Sequence, residues 1–316
     1  MFVTRRAFLT GTAACAASLG AGRAIAPAEE LLPVRIATLA IDPSAEALYA
    51  QDMGFFKDAG LDAKMTILNN ATAIVAAVAS GAVDIGFATT PGVALAHQRG
   101  IPVRFFAPAA VYTGPVGNTI LMALKTSPIK SGADLTGKAV AVSGLKDMTQ
   151  FETASWIDKT DGDSKSVHFV EMPYPEMTAA LEAGRVSAAC LIEPFVTTAK
   201  STSKVVANLS DTLGGPYLVG GWIAGDDWLQ RNPEAAKRFA GAIRRTAKWA
   251  NRHTKESAAV LVRYTKITPD VAAAMIRTRY DERAALDPQM LQRPVDMMVR
   301  FGALTPMPAR DIIAAP

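Results

Sequence analysis

The 316 residues carry 33 Lys and Arg against 29 Asp and Glu, a net charge of +4, and half of them are hydrophobic. A chain of this size can bury two cores of ordinary size. No internal run reaches the roughly 18–20 uninterrupted apolar residues that a membrane span needs.

Residues 1–28 read as an export signal of the twin-arginine type. Thr4-Arg5-Arg6-Ala7-Phe8-Leu9 supplies the charged start. A weakly apolar Gly/Ala-rich stretch follows, and Ala24-Ile25-Ala26 or Ala26-Pro27-Ala28 offers the small-residue cleavage site. A cut after Ala28 avoids a proline just beyond the cleaved bond. A lipoprotein signal at Cys15 fits less well, because Thr12 stands where leucine is usual. Removing Arg5, Arg6 and Arg23 lowers the net charge to +1, which leaves nothing to suggest a nucleic-acid surface. Cys190 is then the single cysteine, so no intramolecular disulfide can form.

Val34–Ala40 predicts a buried strand. Ser44 to Ala59 predicts a helix capped by Ser44 and stopped at Gly60. Strands are expected at Leu61–Leu68, Asp84–Ala88 and Val103–Ala107. Between them lie a helix at Ala71–Ala79, broken by Gly81, and another from Pro91 to Gly100. After an irregular passage at Tyr112–Gly117 the rhythm restarts. Strands are predicted at Thr119–Lys125, Ala139–Val142, Val167–Val170, Ser187–Ile192 and Lys204–Leu209. A turn is expected at Asp134–Lys138. Helices are expected at Thr149–Ile157, from Pro175 to Gly184, and from Pro194. Beyond strand-like Tyr217–Ala224 the chain reads as helical to its end. In Pro233–His253 the apolar face is Phe239, Ala242, Ile243, Thr246 and Ala250. Further helices fit Glu256–Tyr264, Pro269–Arg277 and Pro288–Phe301. The result is two β-α-β-α-β-α-β runs, each a mostly parallel sheet covered by helices.

The two runs share a signature. Residues 77–91, AVASGAVDIGFATTP, and residues 180–194, ALEAGRVSAACLIEP, match at Ala77/Ala180, Gly81/Gly184, Val83/Val186 and Pro91/Pro194. Each unit ends a helix at Gly, turns into a strand, and starts the next helix at Pro. In open α/β sheets ligands bind beyond the strand carboxyl ends. Two such edges facing each other would wall a cleft with helix starts.

Residues 73–103 (AIVAAVASGAVDIGFATTPGVALAHQRGIPV), 134–142 (DLTGKAVAV) and 176–195 (EMTAALEAGRVSAACLIEPF) resemble the substrate-binding proteins of ABC importers. The branch is the one that takes sulfonates, taurine, nitrate and pyrimidine precursors of thiamine. The resemblance runs from Val34 to about Phe301. It implies a type II periplasmic binding fold: two α/β lobes, two crossover segments with a cleft between the lobes, and a C-terminal helical stretch returning to the first lobe. On this chain lobe 1 would comprise residues 33–113 and 219–316, and lobe 2 residues 114–218. The crossings would fall near Tyr112–Gly117 and Pro216–Trp222, both rich in Gly and Pro as a hinge can be.

The resemblance further implies a periplasmic, monomeric protein that captures a small molecule and docks on an ABC permease in the inner membrane. A ligand-sensing subunit that docks on a receptor is a second arrangement. The pyrimidine synthases that share the fold depend on a cysteine-rich motif, which this chain lacks.

The cleft-lining loops follow the strand ends. In the first lobe they are Leu39–Ser44, which contains Asp42, then Asn69–Thr72 and Thr89–Gly92. Asn69, Asn70, Thr72, Thr89 and Thr90 offer donors and acceptors, and the same residue types cap helices. In the second lobe Ser143-Gly144-Leu145-Lys146-Asp147-Met148-Thr149 follows a strand and opens a helix. Its backbone N–H groups, with Ser143 and Thr149, can hold an anion. Lys146 could neutralise an acidic ligand or pair with Asp147. Glu193 could accept from a ligand N–H or tie down its own lobe. Trp222 could floor the cleft with a flat ring or pack in the core, with Tyr112 and Tyr174 as lesser candidates.

No catalytic, cofactor or metal motif is present: no G-x-S-x-G, H-E-x-x-H, P-loop or G-x-G-x-x-G, and His97, His168 and His253 lack metal spacing. No cofactor is therefore expected. The alternative reading is an exported hydrolase or lyase using Glu193 with Lys146.

Overall fold

The computed structural model describes residues 1, 2 and 30–314. The expected export signal, but for its first two residues, lies outside the described residues.

Thirteen strands occur among the described residues. They are β1 (Leu32–Thr38), β2 (Leu61–Ile67), β3 (Ile85–Ala88), β4 (Val103–Pro108), β5 (Ala110–Tyr112), β6 (Thr119–Leu124), β7 (Ala139–Val142), β8 (His168–Glu171), β9 (Ala188–Ile192), β10 (Ser203–Asn208), β11 (Tyr217–Leu218), β12 (Gly221–Gly225) and β13 (Arg279–Tyr280). They build two five-stranded sheets and one small sheet.

The first large sheet has the order β2-β1-β3-β12-β4, and the second, read from its matching edge, β8-β7-β9-β6-β10. In each, the first three strands run parallel. In each, the fourth is antiparallel and is the strand that follows a crossing of the chain: β12 in the first sheet and β6 in the second. Parallel strands need helical crossovers, which cover both faces with helices.

The sequence repeat is this architectural repeat. Helix Ala71–Ala79 precedes β3 and helix Tyr174–Glu182 precedes β9, and both ends of the two helices keep the 103-residue offset. Gly81 (φ 72°) and Gly184 (φ 67°) take the left-handed conformation that ends each helix. The repeat loosens at the prolines. Pro91 lies in the first turn of the nine-residue helix Thr90–Gln98, whereas Pro194 caps the five-residue helix Phe195–Ala199.

The chain leaves the first sheet through β5 and returns to it through β11. These two crossing strands pair antiparallel, Tyr112 opposite Tyr217 and Val111 opposite Leu218. β13 adds to the other edge of β5, with Arg279 opposite Val111. The molecule is thus a two-lobed type II periplasmic binding fold whose connections form a three-stranded sheet of their own.

Several local expectations are corrected. The helix foreseen over 44–59 is broken into Glu46–Asp52 and Phe55–Asp58, because Gly54 adopts φ 74° between them. Ser44 does not cap it. Its hydroxyl donates to Leu39 O at 2.8 Å and so pins the loop after β1. The strand expected over 217–224 is interrupted at Val219–Gly220, where the chain passes from the connecting sheet to the first large sheet. The C-terminal part is not wholly helical, since β13 pairs with β5.

The C-terminal helices also serve more than the first lobe. Pro233–Arg252 packs there, its Phe239 ring 5.5 Å from Phe56 and 5.3 Å from Trp222. Helix Pro288–Arg300 instead touches β11, helix Thr90–Gln98 and helix Met148–Lys159 of the second half. Phe301 just beyond it lies tilted against Phe151, 5.9 Å between centroids.

Candidate ligand-binding cleft

The carboxyl ends of the parallel strands in both large sheets converge on one cavity. Leu39, Ile41 and Pro43 come from the loop after β1, Phe87 and Thr89 from the end of β3. Ser143, Asp147, Met148 and Thr149 come from the loop after β7 and the helix it opens, Ile192 from β9. Thr119 and Val219 enter where the antiparallel strands start, and Tyr174 where a helix does. The cavity is tight, with about 20 Å³ open to the centre of a water molecule. It shares Leu39, Ile41 and Tyr174 with a wider outer groove of about 560 Å³. That groove adds Ile67, Leu68, Asn69, Phe195, Tyr264 and Lys266. Tyr174 and Phe195 stack there, 5.8 Å apart at an interplanar angle of 9°.

The halves touch across this space through polar groups. Thr89 Oγ1 donates to Asp147 Oδ1 at 2.8 Å. Asn70 Nδ2 donates to Glu171 Oε1 at 3.4 Å. Asp42 N donates to Glu193 O at 3.0 Å, and Ile276 N to Glu193 Oε1 at 3.1 Å.

Four backbone N–H groups of the loop after β7 are taken within its own lobe. Ser143 N donates to Thr149 Oγ1 (3.2 Å), Leu145 N to Glu171 Oε2 (3.0 Å), Lys146 N to Gln150 Oε1 (2.6 Å) and Met148 N to Asp147 Oδ1 (2.6 Å). Side chains of the same lobe thus hold these four donors, for which a ligand anion would have to compete. Asp147 is the N-cap of helix Met148–Lys159 and accepts from Ser143 Oγ at 3.2 Å as well. Burial pushes its carboxyl above the ordinary range, while the bonds from Thr89, Met148 and Ser143 pull the other way.

The family NMT1/THI5 like matches residues 43–257, more than half of the sequence. The chain belongs to the NMT1/THI5-like family. It is 28% identical over 207 residues to the taurine-binding periplasmic protein of Escherichia coli K12, covering 64% of this chain and 62% of that one. It is 27% identical over 139 residues to the formylaminopyrimidine-binding protein of Halalkalibacterium halodurans, covering 44% and 40%. The matched part is thus less than two thirds of either relative. Among solved structures, the alkanesulfonate-binding protein SsuA of Xanthomonas axonopodis pv. citri, bound to MOPS, superposes with a TM-score of 0.75. It is 16% identical, over 91% of this chain and 99% of that one. The fold alone does not separate binding from catalysis, for the desulfurization enzyme DSZB shares it at a TM-score of 0.65 and 16% identity, over 90% and 96%.

In this NMT1/THI5-like chain the residues singled out from sequence fall into three groups. Thr89, Ser143 and Thr149 line the inner cavity, and Asn69 the outer groove. Asn70 caps helix Ala71–Ala79 through Ala73 N (2.8 Å) and reaches Glu171 across the cleft. Thr72 faces Gly144 of the other half, where a Cβ would stand 3.7 Å from its Oγ1. Lys146 is exposed in a left-handed conformation (φ 59°), lines neither space, and leaves Asp147 to Thr89 and Ser143.

Four others, and the lesser candidate Tyr112, line neither space. The Asp42 carboxylate, fully buried, is taken by Arg277 Nη2 (2.8 Å), Tyr49 OH (2.9 Å) and Thr278 N (2.6 Å), and Asp42 does not line the cavity. Glu193 accepts from Thr197 N (3.0 Å) and Thr197 Oγ1 (2.8 Å), so it ties its own lobe and, through Ile276, the opposite one. Trp222 is fully buried on β12 and donates from Nε1 to Glu46 Oε2 at 3.1 Å. It belongs to the core of the first lobe, not to the cleft floor. Thr90 is fully buried with its Oγ1 unpartnered. Tyr112 pairs its hydroxyl with Asp211 in the connecting region.

Asp147 is the residue that sequence reading undervalued, as a mere partner for Lys146. Its signal was an acidic N-cap directly after a strand-ending loop. Tyr174, a lesser candidate, lines both spaces. Thr119 and Val219 carry no local signal, because strand pairing alone brings them to the cavity.

Proposed function

We propose that this chain is the solute-capturing component of an ABC-type importer. It works in the periplasm after export by the twin-arginine route, closes its lobes on a small organic molecule, and presents the closed form to an inner-membrane permease. It acts as a monomer, with residues 33–113 and 219–316 moving as one lobe and 114–218 as the other. The observation that carries this reading is a cavity lined from both lobes and bridged across by Thr89 and Asp147. Family membership and the relatives named for taurine and formylaminopyrimidine binding support it. Micromolar binding corresponds to about −8 kcal/mol, within reach of a few directed hydrogen bonds and one stacked ring. The ligand need only prefer the closed state.

The test is small-angle scattering of the purified chain against sulfonates, carboxylates and nitrogen heterocycles, followed by uptake in cells with and without the permease. Compaction with a panel member and permease-dependent uptake are expected. A particle whose dimensions never change would remove the reading.

The enzyme alternative paired Glu193 with Lys146. Neither lines the cavity, and Glu193 is committed to Thr197 and Ile276. Turnover of any panel compound that Glu193→Gln abolishes would restore it.

A further inference from the structure

We propose that the group this cleft buries deepest is a nitrogen hydrogen-bond donor, a protonated amine or the N–H of an amino-heterocycle, held by the Asp147 carboxylate. The inference rests on the capture reading above and narrows its ligand class.

Three observations carry it. The first is charge. The one ionisable carboxylate of the inner cavity is Asp147, and among the described residues no Lys or Arg lines that cavity. A further carboxylate, Glu171, is bonded to Leu145 N of the same loop. An anionic ligand end here would be desolvated beside like charge with no cation to offset it.

The second is the use of the donors. Ser143 N, Leu145 N, Lys146 N and Met148 N all go to side chains of their own lobe. Asp147 thereby occupies the place at the helix start that a bound anion would take.

The third is replaceability. Thr89 is the cross-cleft donor to Asp147, so it is the partner lost when the lobes part. Met148 N and Ser143 Oγ stay with Asp147 on its own lobe. An open cleft therefore presents a carboxylate with an acceptor site directed at incoming solute. A ligand N–H can fill it at the strength of a charge-assisted bond. The rest of the molecule would lie in the outer groove against the stacked Tyr174 and Phe195 and against Ile67 and Leu68, which suits a flat or apolar body. The one cation of that groove, Lys266, is exposed.

The test is calorimetry of the full chain with four probes of matched shape: benzylamine, 4-aminopyrimidine, benzoate and benzenesulfonate. Asp147→Asn and Asp147→Ser serve as variants, since both residues can still cap the helix, and circular dichroism checks their fold. Binding of at least one nitrogen donor is expected, with no heat from either acid. The variants should weaken that binding about tenfold or more, the size of a lost hydrogen bond to a charged group. The inference is overturned if an acid binds as well as the amines, if neither amine binds, or if both folded variants keep wild-type affinity. Compaction in scattering with an acid would leave the capture reading standing and remove this one alone.

Discussion

Thr89 Oγ1 and Asp147 Oδ1 meet at 2.8 Å although they belong to opposite halves of the cleft. One stands at the N-cap of a helix after β3, the inner strand of the first sheet's parallel trio, and the other caps a helix after β7, the middle strand of the second's. The bond is the point at which both sheets present a helix start to the same space.

Thr89→Val removes that bond and keeps the shape. A bond to a charged acceptor contributes about 1.5–3 kcal/mol, enough to shift a lobe equilibrium by tenfold or more. The ligand-free variant is expected to be more open, with a larger radius of gyration in scattering and an unchanged circular dichroism spectrum. An unchanged radius would mean that the bond does not hold the lobes.

Trp222→Phe separates core from cleft. The variant leaves Glu46, fully buried and already held with one oxygen unpartnered, without its Nε1 donor. A loss of about 1–3 kcal/mol in stability is expected, read as a lower denaturation midpoint, with ligand affinity intact. A selective loss of affinity would return Trp222 to the cleft.

Asp42→Asn strands the Arg277 guanidinium, which is held by Asp42 and only slightly exposed. Breaking a buried pair from one side costs about 3–5 kcal/mol. Urea unfolding should show it, and restoring neutrality with Arg277→Gln in the same chain should recover part of the loss.

Glu152 links the second lobe to the connecting sheet. Tyr217 OH of β11 donates to its Oε1 at 2.5 Å, while Oε2 is buried without a partner. Burial pushes its carboxyl from 4.5 up to about 7. The unfolded chain releases this proton near 4.5 and the folded chain near 7, so between these values unfolding is increasingly favoured. Its contribution is fully present below about 4.5 and is lost as pH rises through 7. Stability should therefore fall over that window by up to about 1.4 kcal/mol per pH unit for this group. Glu152→Gln should flatten that part of the profile by about one proton's worth and raise the denaturation midpoint above pH 7. Parallel wild-type and variant profiles would refute the assignment.

Gly81→Ala and Gly184→Ala test the repeat. A Cβ at either position meets nothing within 4 Å, so the cost is the left-handed backbone alone. About 1 kcal/mol is expected at each, with the two values equal within error in chemical denaturation. A large difference between them would mean that the two turns are not equivalent.

The sequence by itself determined the two α/β runs and their repeat, down to helices Ala71–Ala79 and Tyr174–Glu182. It did so because Gly at a helix end and alternation of apolar residues act over a few neighbours, where local sterics decide. It also placed Thr89, Ser143 and Thr149 in loops at strand ends, which line the cavity. Tertiary structure alone decided which polar groups remain for a ligand. Asp42 is consumed by Arg277, 235 residues away, and Trp222 by Glu46, 176 residues away. The N–H groups of Leu145, Lys146 and Ser143 are consumed by Glu171, Gln150 and Thr149. A buried polar atom is satisfied by whatever folding brings within about 3 Å, and that partner is fixed by strand order and lobe contact, which no local pattern encodes.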